Sequence, residues 1–462
     1  MLKVGIVGGG FSGICLAAEL LLDQKHLCSV CLIEKREQFG LGIAYSTPSP
    51  WHLLNVRAMN MGISEDDIAD FFQWLKKNES IWRNANAAFH DISLTEDSYL
   101  PRQLYALYLK NKLEELKKNS NFNLINRNAI DVELMSDGKL KIVFDDGKHI
   151  AVDRIVLATG VETSKKLPFA ISHERYFGNV WKSDVNQNLI SDTDANSKIF
   201  IIGTGLTALD VITSLDRNHY QGKIIALSNH GDFPEPHLPT HLPLIMADEK
   251  ILTARNLREK FHYFNTQLIQ SENTKLNWRQ LFDSLRPFTP IMWKQLSIED
   301  RKRFLRHLLS FWNRHRHRMP PASEHMVCRM KNQNRLDARA GKVIRIEVFS
   351  KDLLKVVYKL KGSEEELSIL VSYVYNCTGP GYLLKSQTNI ILQNLLQHKF
   401  ILEDELGLGV KTNRQLEAEG LLAGKIYAMG PLLYGEQFEA TAVPEIRKQA
   451  KTIASGIATH LF

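Results

Sequence analysis

The 462 residues carry 44% hydrophobic and 24% charged side chains, an ordinary globular balance that excludes a disordered chain and leaves room for two or three full-sized domains. No apolar run approaches the ~18 residues needed to span a bilayer, and the formal charge of +7 suits anionic ligands without calling for nucleic acid. The five scattered cysteines form no disulfide framework, and a strand opening at Lys3 leaves no room for a signal peptide, so a cytoplasmic location is expected.

Lys3 to Val7 reads as a buried parallel strand and runs straight into Gly8-Gly9-Gly10-Phe11-Ser12-Gly13. Ile14, Leu16, Ala17, Leu20 and Leu21 then recur at helical spacing, and the next apolar run ends on Glu34, followed by Lys35. Strand, glycines, helix, strand and acid in this order make a dinucleotide turn. Gly8 permits the tight bend, Gly10 lets backbone N–H groups approach a pyrophosphate, and Gly13 lets helix and strand pack closely. The helix N-terminus adds partial positive charge, and Glu34 is placed to accept from an adenosine ribose. Cys28 and Cys31 form a C-x-x-C, but their place at this second strand makes them buried small hydrophobes, not a redox pair.

Gly40 to Ser46 and Leu53 to Ala58 read as functional loops, with Gly42 and Asn55 among their residues. Helices are predicted over Asp66–Lys77 and Arg102–Lys118. An antiparallel ribbon (Val132–Leu134, Leu140–Phe144, His149–Val152) leads into a strand that stops at Ala158-Thr159-Gly160. Polar Asp192–Lys198 marks a boundary, after which Ile199–Ile202, Gly203-Thr204-Gly205-Leu206-Thr207-Ala208 and a helix repeat the opening device. The strand Lys223–Leu227 ends in Ser228-Asn229-His230 with no acid. This favours NADP over NAD, with His230 or a nearby arginine meeting the 2′-phosphate.

Residues 232–325 break the pattern. Helices over Leu252–Gln270, Trp278–Leu285 and Ile298–Arg314 make a helical insertion in the second domain. Prolines between His237 and His241 exclude a helical ligand pair, and no metal is expected. Arg314 to Arg318 reads either as a solvated basic helix end or as an anion site, the former favoured. Strands return at Val343–Phe349, Leu353–Leu360 and Leu367–Leu370; Val371 to Pro380 mirrors the strand ending at Thr159-Gly160; and Lys425 to Pro431 precedes a closing helix from about Ala442. The expected organisation is α/β, with two Rossmann-like dinucleotide-binding domains. Residues 1–191 and 372–462 form a discontinuous FAD domain, and 192–371 an NAD(P) domain.

The two glycine turns, the two strands ending in Thr-Gly and the closing Tyr427-Ala428-Met429-Gly430-Pro431 resemble the two-dinucleotide-binding-domain flavoproteins. More narrowly, Gly42–Ser46, Leu54–Ala58, Pro101-Arg102, Gly203–Asp210, His315–Pro321 and Glu439–Arg447 resemble a bacterial group of FAD-NAD(P)-binding proteins related to class B flavin monooxygenases. The resemblance implies FAD at Gly8, Gly10, Phe11, Ser12, Gly13, Glu34, Lys35, Gly42, Asn55, Arg102, Thr159, Gly160, Gly430, Pro431, Glu439, Thr441 and Ala442. It implies NADP, or NAD, at Gly203, Gly205 and Thr207. Three departures stand out. No cysteine pair lies near Gly40 to Ala58, which disfavours a disulfide reductase. Lys182 stands where the class B fingerprint has histidine, after Tyr176-Phe177-Gly178. Pro431 replaces the aspartate that usually follows the last glycine. The expected activity is monooxygenation of a small, amine-bearing substrate. The alternatives are a flavin reductase or dehydrogenase without oxygen insertion, and a non-enzymatic redox-sensing module. No residue declares itself a general base.

Overall fold

The structure, a computed structural model, describes residues 1–22, 28–181, 197–240, 242, 245–272 and 277–459. Lys182, most of the polar boundary stretch after Asp192, His241 and Pro243 lie outside the described residues.

Five parallel strands make the first sheet, in the order Ile426–Ala428, Arg154–Leu157, Leu2–Val7, Cys28–Glu34, Phe122–Asn126. The opening strand is fully flanked, so its residues from Val4 to Val7 are buried, as its unbroken apolar run requires. Helix Phe11–Leu22 packs against closing helix Val443–Thr459, and both belong to one core with Ile6, Leu32, Ile155 and Tyr427. Residues from both ends of the chain therefore complete one domain. The ribbon Ala129–Leu134, Leu140–Phe144, His149–Val152 lays Ile142 and Val152 over Gly5.

The second sheet has seven strands, in the order Leu367–Val371, Leu354–Leu360, Leu336–Val348, Lys223–Ser228, Lys198–Ile202, Tyr373–Asn376, Tyr176–Phe177. From Leu336–Val348 onward they run parallel. The two strands before it are antiparallel additions. Along Lys198–Ile202 the side chains alternate. Ile199 and Ile201 enter a core with helices Leu206–Arg217 and Pro321–Asn332, while Phe200 and Ile202 enter one with Val356 and Tyr358. Tyr373 pairs with Ile199 and Tyr176 with Val374. The expected boundaries at 191 and 371 thus leave out two strands of this sheet. Tyr373–Asn376 fills in the second domain the place that Arg154–Leu157 fills in the first, so it cannot belong to the closing FAD segment.

The insertion is a cluster of short helices, Glu249–Thr253, Leu257–Glu272, Trp278–Leu285, Thr289–Gln295, Ile298–His307 and Leu309–Arg316. The helix expected over Leu252–Gln270 breaks after Thr253 because the Lys260 ammonium donates to the carbonyls of Ile251 and Leu252, at 3.0 and 3.1 Å, and ends the first piece there. The helix expected from Asp66 begins at Asp70, since a Gly62 N–H to Ile68 carbonyl bond holds the preceding residues as a loop. Among the described residues no helix is long and apolar enough to cross a membrane.

Candidate functional site

Gly8 has φ +113°, and a Cβ there would sit 2.3 Å from the Ala158 carbonyl oxygen. The bend is fixed on both sides: Gly8 N–H donates to the Ile33 carbonyl at 2.9 Å and Ala158 N–H to that of Val7 at 2.8 Å. Gly203 repeats the design, with φ +112° and a virtual Cβ 2.4 Å from the Cys377 carbonyl oxygen. Its N–H donates to Leu227 at 2.8 Å, and Cys377 donates to Ile202 at 2.8 Å. Only glycine adopts this conformation with backbone so close. Beyond each return strand, Gly160 and Gly379 have φ of +68° and +87° and open space where a side chain would be. Helices Phe11–Leu22 and Leu206–Arg217 carry no acid in their first turns, so nothing local opposes an anion at either N-terminus.

The residues expected at the first cofactor fall into two groups. In the first, Gly13 packs against the Gly8 carbonyl and Gly10 faces Gly42, a Cβ on Gly10 coming 3.2 Å from the Gly42 Cα. Phe11 is buried edge-on to Tyr45 at 5.9 Å. Ser12 Oγ lies where a Gly430 Cβ would come within 2.7 Å, so the closing turn touches the opening one. Gly430 N–H donates to Gln449 Oε1 at 2.7 Å, and Ala442 accepts from Glu445 and Ile446 at the head of the closing helix. Buried Glu34 accepts from Gly9 N–H at 3.0 Å and from Arg36 Nε at 3.2 Å; Lys35 beside it is exposed. Arg36, 40% exposed, forms the ion pair with Glu34 from the solvent side. The bare glycine cradle and the buried acid fit an adenosine diphosphate.

The second group makes longer reaches. Arg102, expected at the cofactor, pairs with Asp210 of the second domain at 2.9 Å, donates to the Leu53 carbonyl at 3.2 Å and stacks over Trp181. Asn55 offers its carbonyl to His237 Nε2 at 3.1 Å. Glu439 turns its buried carboxylate to Trp312 Nε1 and to Arg316 Nε, the latter at 2.9 Å, with His317 at 3.9 Å. Thr441 is exposed. The Arg102 and Glu439 side chains, and the Asn55 backbone carbonyl, thus meet partners across the boundary between the domains and the insertion. His52 joins them, meeting Thr47 Oγ1 at 2.8 Å through Nδ1 and Ser214 Oγ at 2.8 Å through Nε2. Burial pushes its pKa down, and burial with Arg318 and Arg57 nearby pushes His237 down to about 2.

Arg314, His315 and Arg316 form the basic last turn of helix Leu309–Arg316, as the helix-end reading expected, but the run is paired and not simply solvated. Arg314 pairs with Asp232 and Glu235, Arg316 with Glu439, and Arg318 with Asp283, while His315 stacks on Phe282. The cluster clamps the insertion to both domains. Lys361 is a residue that sequence reasoning missed. Its Nζ lies 3.4 Å from His230 Nδ1 at the exposed tip of Lys223–Ser228, where Thr204 Oγ1 also holds Ser228 Oγ at 2.9 Å. The partially exposed Thr207 sits in the first turn of the helix beside it, and Gly205 faces open space.

Two bends of one design, each backed by a strand that ends in Thr-Gly, define a two-dinucleotide-binding-domain flavoprotein fold. Residues 5–162 match the FAD-NAD(P)-binding family. The fold is similar to that of the ornithine N-hydroxylase of Kutzneria sp. 744, with a TM-score of 0.67 and 14% identity over 99% of each chain. It is also similar to that of L-lysine 6-monooxygenase from Pseudomonas syringae, with 0.65 and 13% over 100% of each. Thioredoxin reductase from Lactococcus lactis gives 0.51 and 10%, over 99% of this chain and 98% of that one. At these identities the likeness is one of fold. No curated sequence matches the chain.

Proposed function

We propose that the chain is an FAD-dependent, NADPH-consuming monooxygenase acting on a small amine. The observation that carries the reading is the duplicated bend at Gly8 and Gly203, which equips one chain for two dinucleotides. The fold neighbours support the oxygenase class, since two of them are an ornithine N-hydroxylase and a lysine monooxygenase, the former with reduced FAD, NADP+ and ornithine. The first unit comprises about residues 1–160 and 382–459, the second about 165–381, with the insertion within it. In this reading Gly8, Gly10, Gly13, Glu34 and Gly42 hold the adenosine diphosphate of FAD. Ser12, Gly160, Gly430, Pro431 and Ala442 line its flavin end. Gly203, Gly205 and Thr207 bind the pyrophosphate of NADPH, and Lys361 meets its 2′-phosphate.

When bound, FAD supplies two-electron transfer between the nicotinamide and oxygen. The chain contributes binding and position. Gln449 fixes the Gly430 backbone, the Phe11, Tyr45 and Tyr105 rings exclude water beside the first turn, and Arg102 with Asp210 sets how the two units meet. All five cysteines are free, in keeping with the reducing cytoplasm in which we place it, and Cys15, Cys28, Cys31 and Cys377 are buried.

The test is NADPH and NADH oxidation by the purified chain across a panel of diamines and basic amino acids, with hydroxylamine product measured. Yellow protein, a preference for NADPH and amine-dependent hydroxylamine are expected. A colourless chain that takes up no added FAD overturns the reading. Flavin reduction without hydroxylamine moves it to a reductase, a second reading that Lys182 in place of the fingerprint histidine favours.

A further inference from the structure

The insertion holds a half-open cavity of about 90 Å³, and none of its lining residues belongs to either glycine turn. Phe264, Leu285, Met292, Trp293 and Phe311 are part of its wall, and Phe438 lines it from the segment between Gly430 and the last helix. Phe261, on its rim, is 40% exposed and gives access from solvent.

The few polar groups on this wall are all committed. Lys260 has three N–H donors, which meet the carbonyls of Ile251 and Leu252 and Oε1 of Gln295 at 3.0, 3.1 and 2.9 Å. Thr289 Oγ1 donates to the Leu285 carbonyl at 3.1 Å. Trp293 Nε1 donates to Gly435 at 2.7 Å, and Trp312 Nε1 to Glu439. No carboxylate lines the cavity. An anion would find no free donor, and an ammonium would find no carboxylate and a lysine instead.

We propose that this cavity is a binding site for a small uncharged apolar molecule, an aromatic ring or a branched hydrocarbon of similar bulk, separate from the place where an amine would react. Dry cavities of ~150 Å³ lined by aliphatic and aromatic side chains take up benzene or xenon. Here the flexible Met292 lets the wall adjust around a guest. A bound molecule would touch Phe438, which stacks on Trp293 at 4.9 Å and immediately precedes Glu439.

The full FAD-loaded chain, labelled at its methionine methyl groups, is titrated with benzene and separately with butylammonium; the Met292 signal is assigned with Met292→Leu. Benzene should move that signal to saturation while the signals of Met319, Met326 and Met330 stay in place. Butylammonium should move nothing. Leu257→Phe and Leu296→Phe, which fill the cavity, should abolish the shift while flavin absorbance and the other methionine signals show the fold intact. The proposal is overturned if Met292 moves no more than the other buried methionines, if butylammonium acts as benzene does, or if both filled variants respond like the parent. Flavin absorbance reads the cofactor site independently of all three outcomes.

Discussion

Arg102, at the head of helix Arg102–Lys117, and Asp210, within helix Leu206–Arg217, pair at 2.9 Å across the two units, their side chains 14% and 13% exposed. Removing one member leaves the other charge nearly buried and alone. Arg102→Ala should lower unfolding stability by about 3 kcal/mol, and the double variant with Asp210→Ala by less than the sum of the singles. Denaturant unfolding of the four proteins measures the coupling. Strict additivity would show that the pair does not join the units.

The two bends can be disabled separately. A methyl group on Gly203 would collide with the Cys377 carbonyl and strain a φ of +112°. Gly203→Ala should abolish NADPH oxidation while the protein stays yellow, whereas Gly10→Val should strip the flavin. Absorbance and stopped-flow flavin reduction separate the two effects. A Gly10→Val chain with full flavin content would count heavily against the first site.

Lys361 and His230 stand together at the tip of Lys223–Ser228. A charge-assisted bond to a phosphate contributes about 1.5–3 kcal/mol, so Lys361→Ala should raise the KM for NADPH by at least about tenfold and leave that for NADH unchanged. Equal loss for both nucleotides would place the 2′-phosphate elsewhere.

His237 stays neutral in the folded chain down to about pH 2, while its ordinary value is 6.5. Below pH 6.5 the unfolded chain takes up the proton and the folded chain does not. The contribution of His237 is therefore complete above 6.5 and is lost as pH falls, by about 1.4 kcal/mol per unit. Unfolding midpoints of parent and His237→Gln should converge from pH 6.5 down to about 4.5. Parallel curves would contradict the buried neutral imidazole.

Glu439 holds Trp312 and Arg316 from a left-handed backbone position, φ +69°. Glu439→Ala leaves the Arg316 guanidinium with Glu445, at 3.9 Å, as its remaining carboxylate and should cost about 3 kcal/mol, with earlier proteolysis in residues 249–316. Limited digestion followed by mass mapping detects it. Digestion unchanged from the parent would mean that the insertion is anchored without Glu439.

Both bends were legible because everything that defines one lies within a few dozen residues: strand, glycines, helix and the next strand. The return strand of the second unit mirrors the first in sequence, yet nothing local in Tyr373–Asn376 says which sheet it joins. Phe122–Asn126, an edge strand framed by polar Asn121 and Arg127, carried too little alternation to be recognised. For Arg102, Glu439 and the basic run the motif is local, but the ion-pair partners Asp210, Arg316 and Asp283 come from distant segments. Lys361 was invisible for the same reason, as it meets His230 only once Leu336–Val348 has turned back through its antiparallel neighbour Leu354–Leu360.

Strand Ile426–Ala428 docks beside Arg154–Leu157, with Ile426 against Ile155. During synthesis that edge stays bare until Ala428 has left the ribosome, by which time the second unit can already be folded. The first sheet is thus completed only after the second unit has emerged. Chains truncated before Lys425 should accumulate with an open sheet edge, prone to self-association and to chaperone capture.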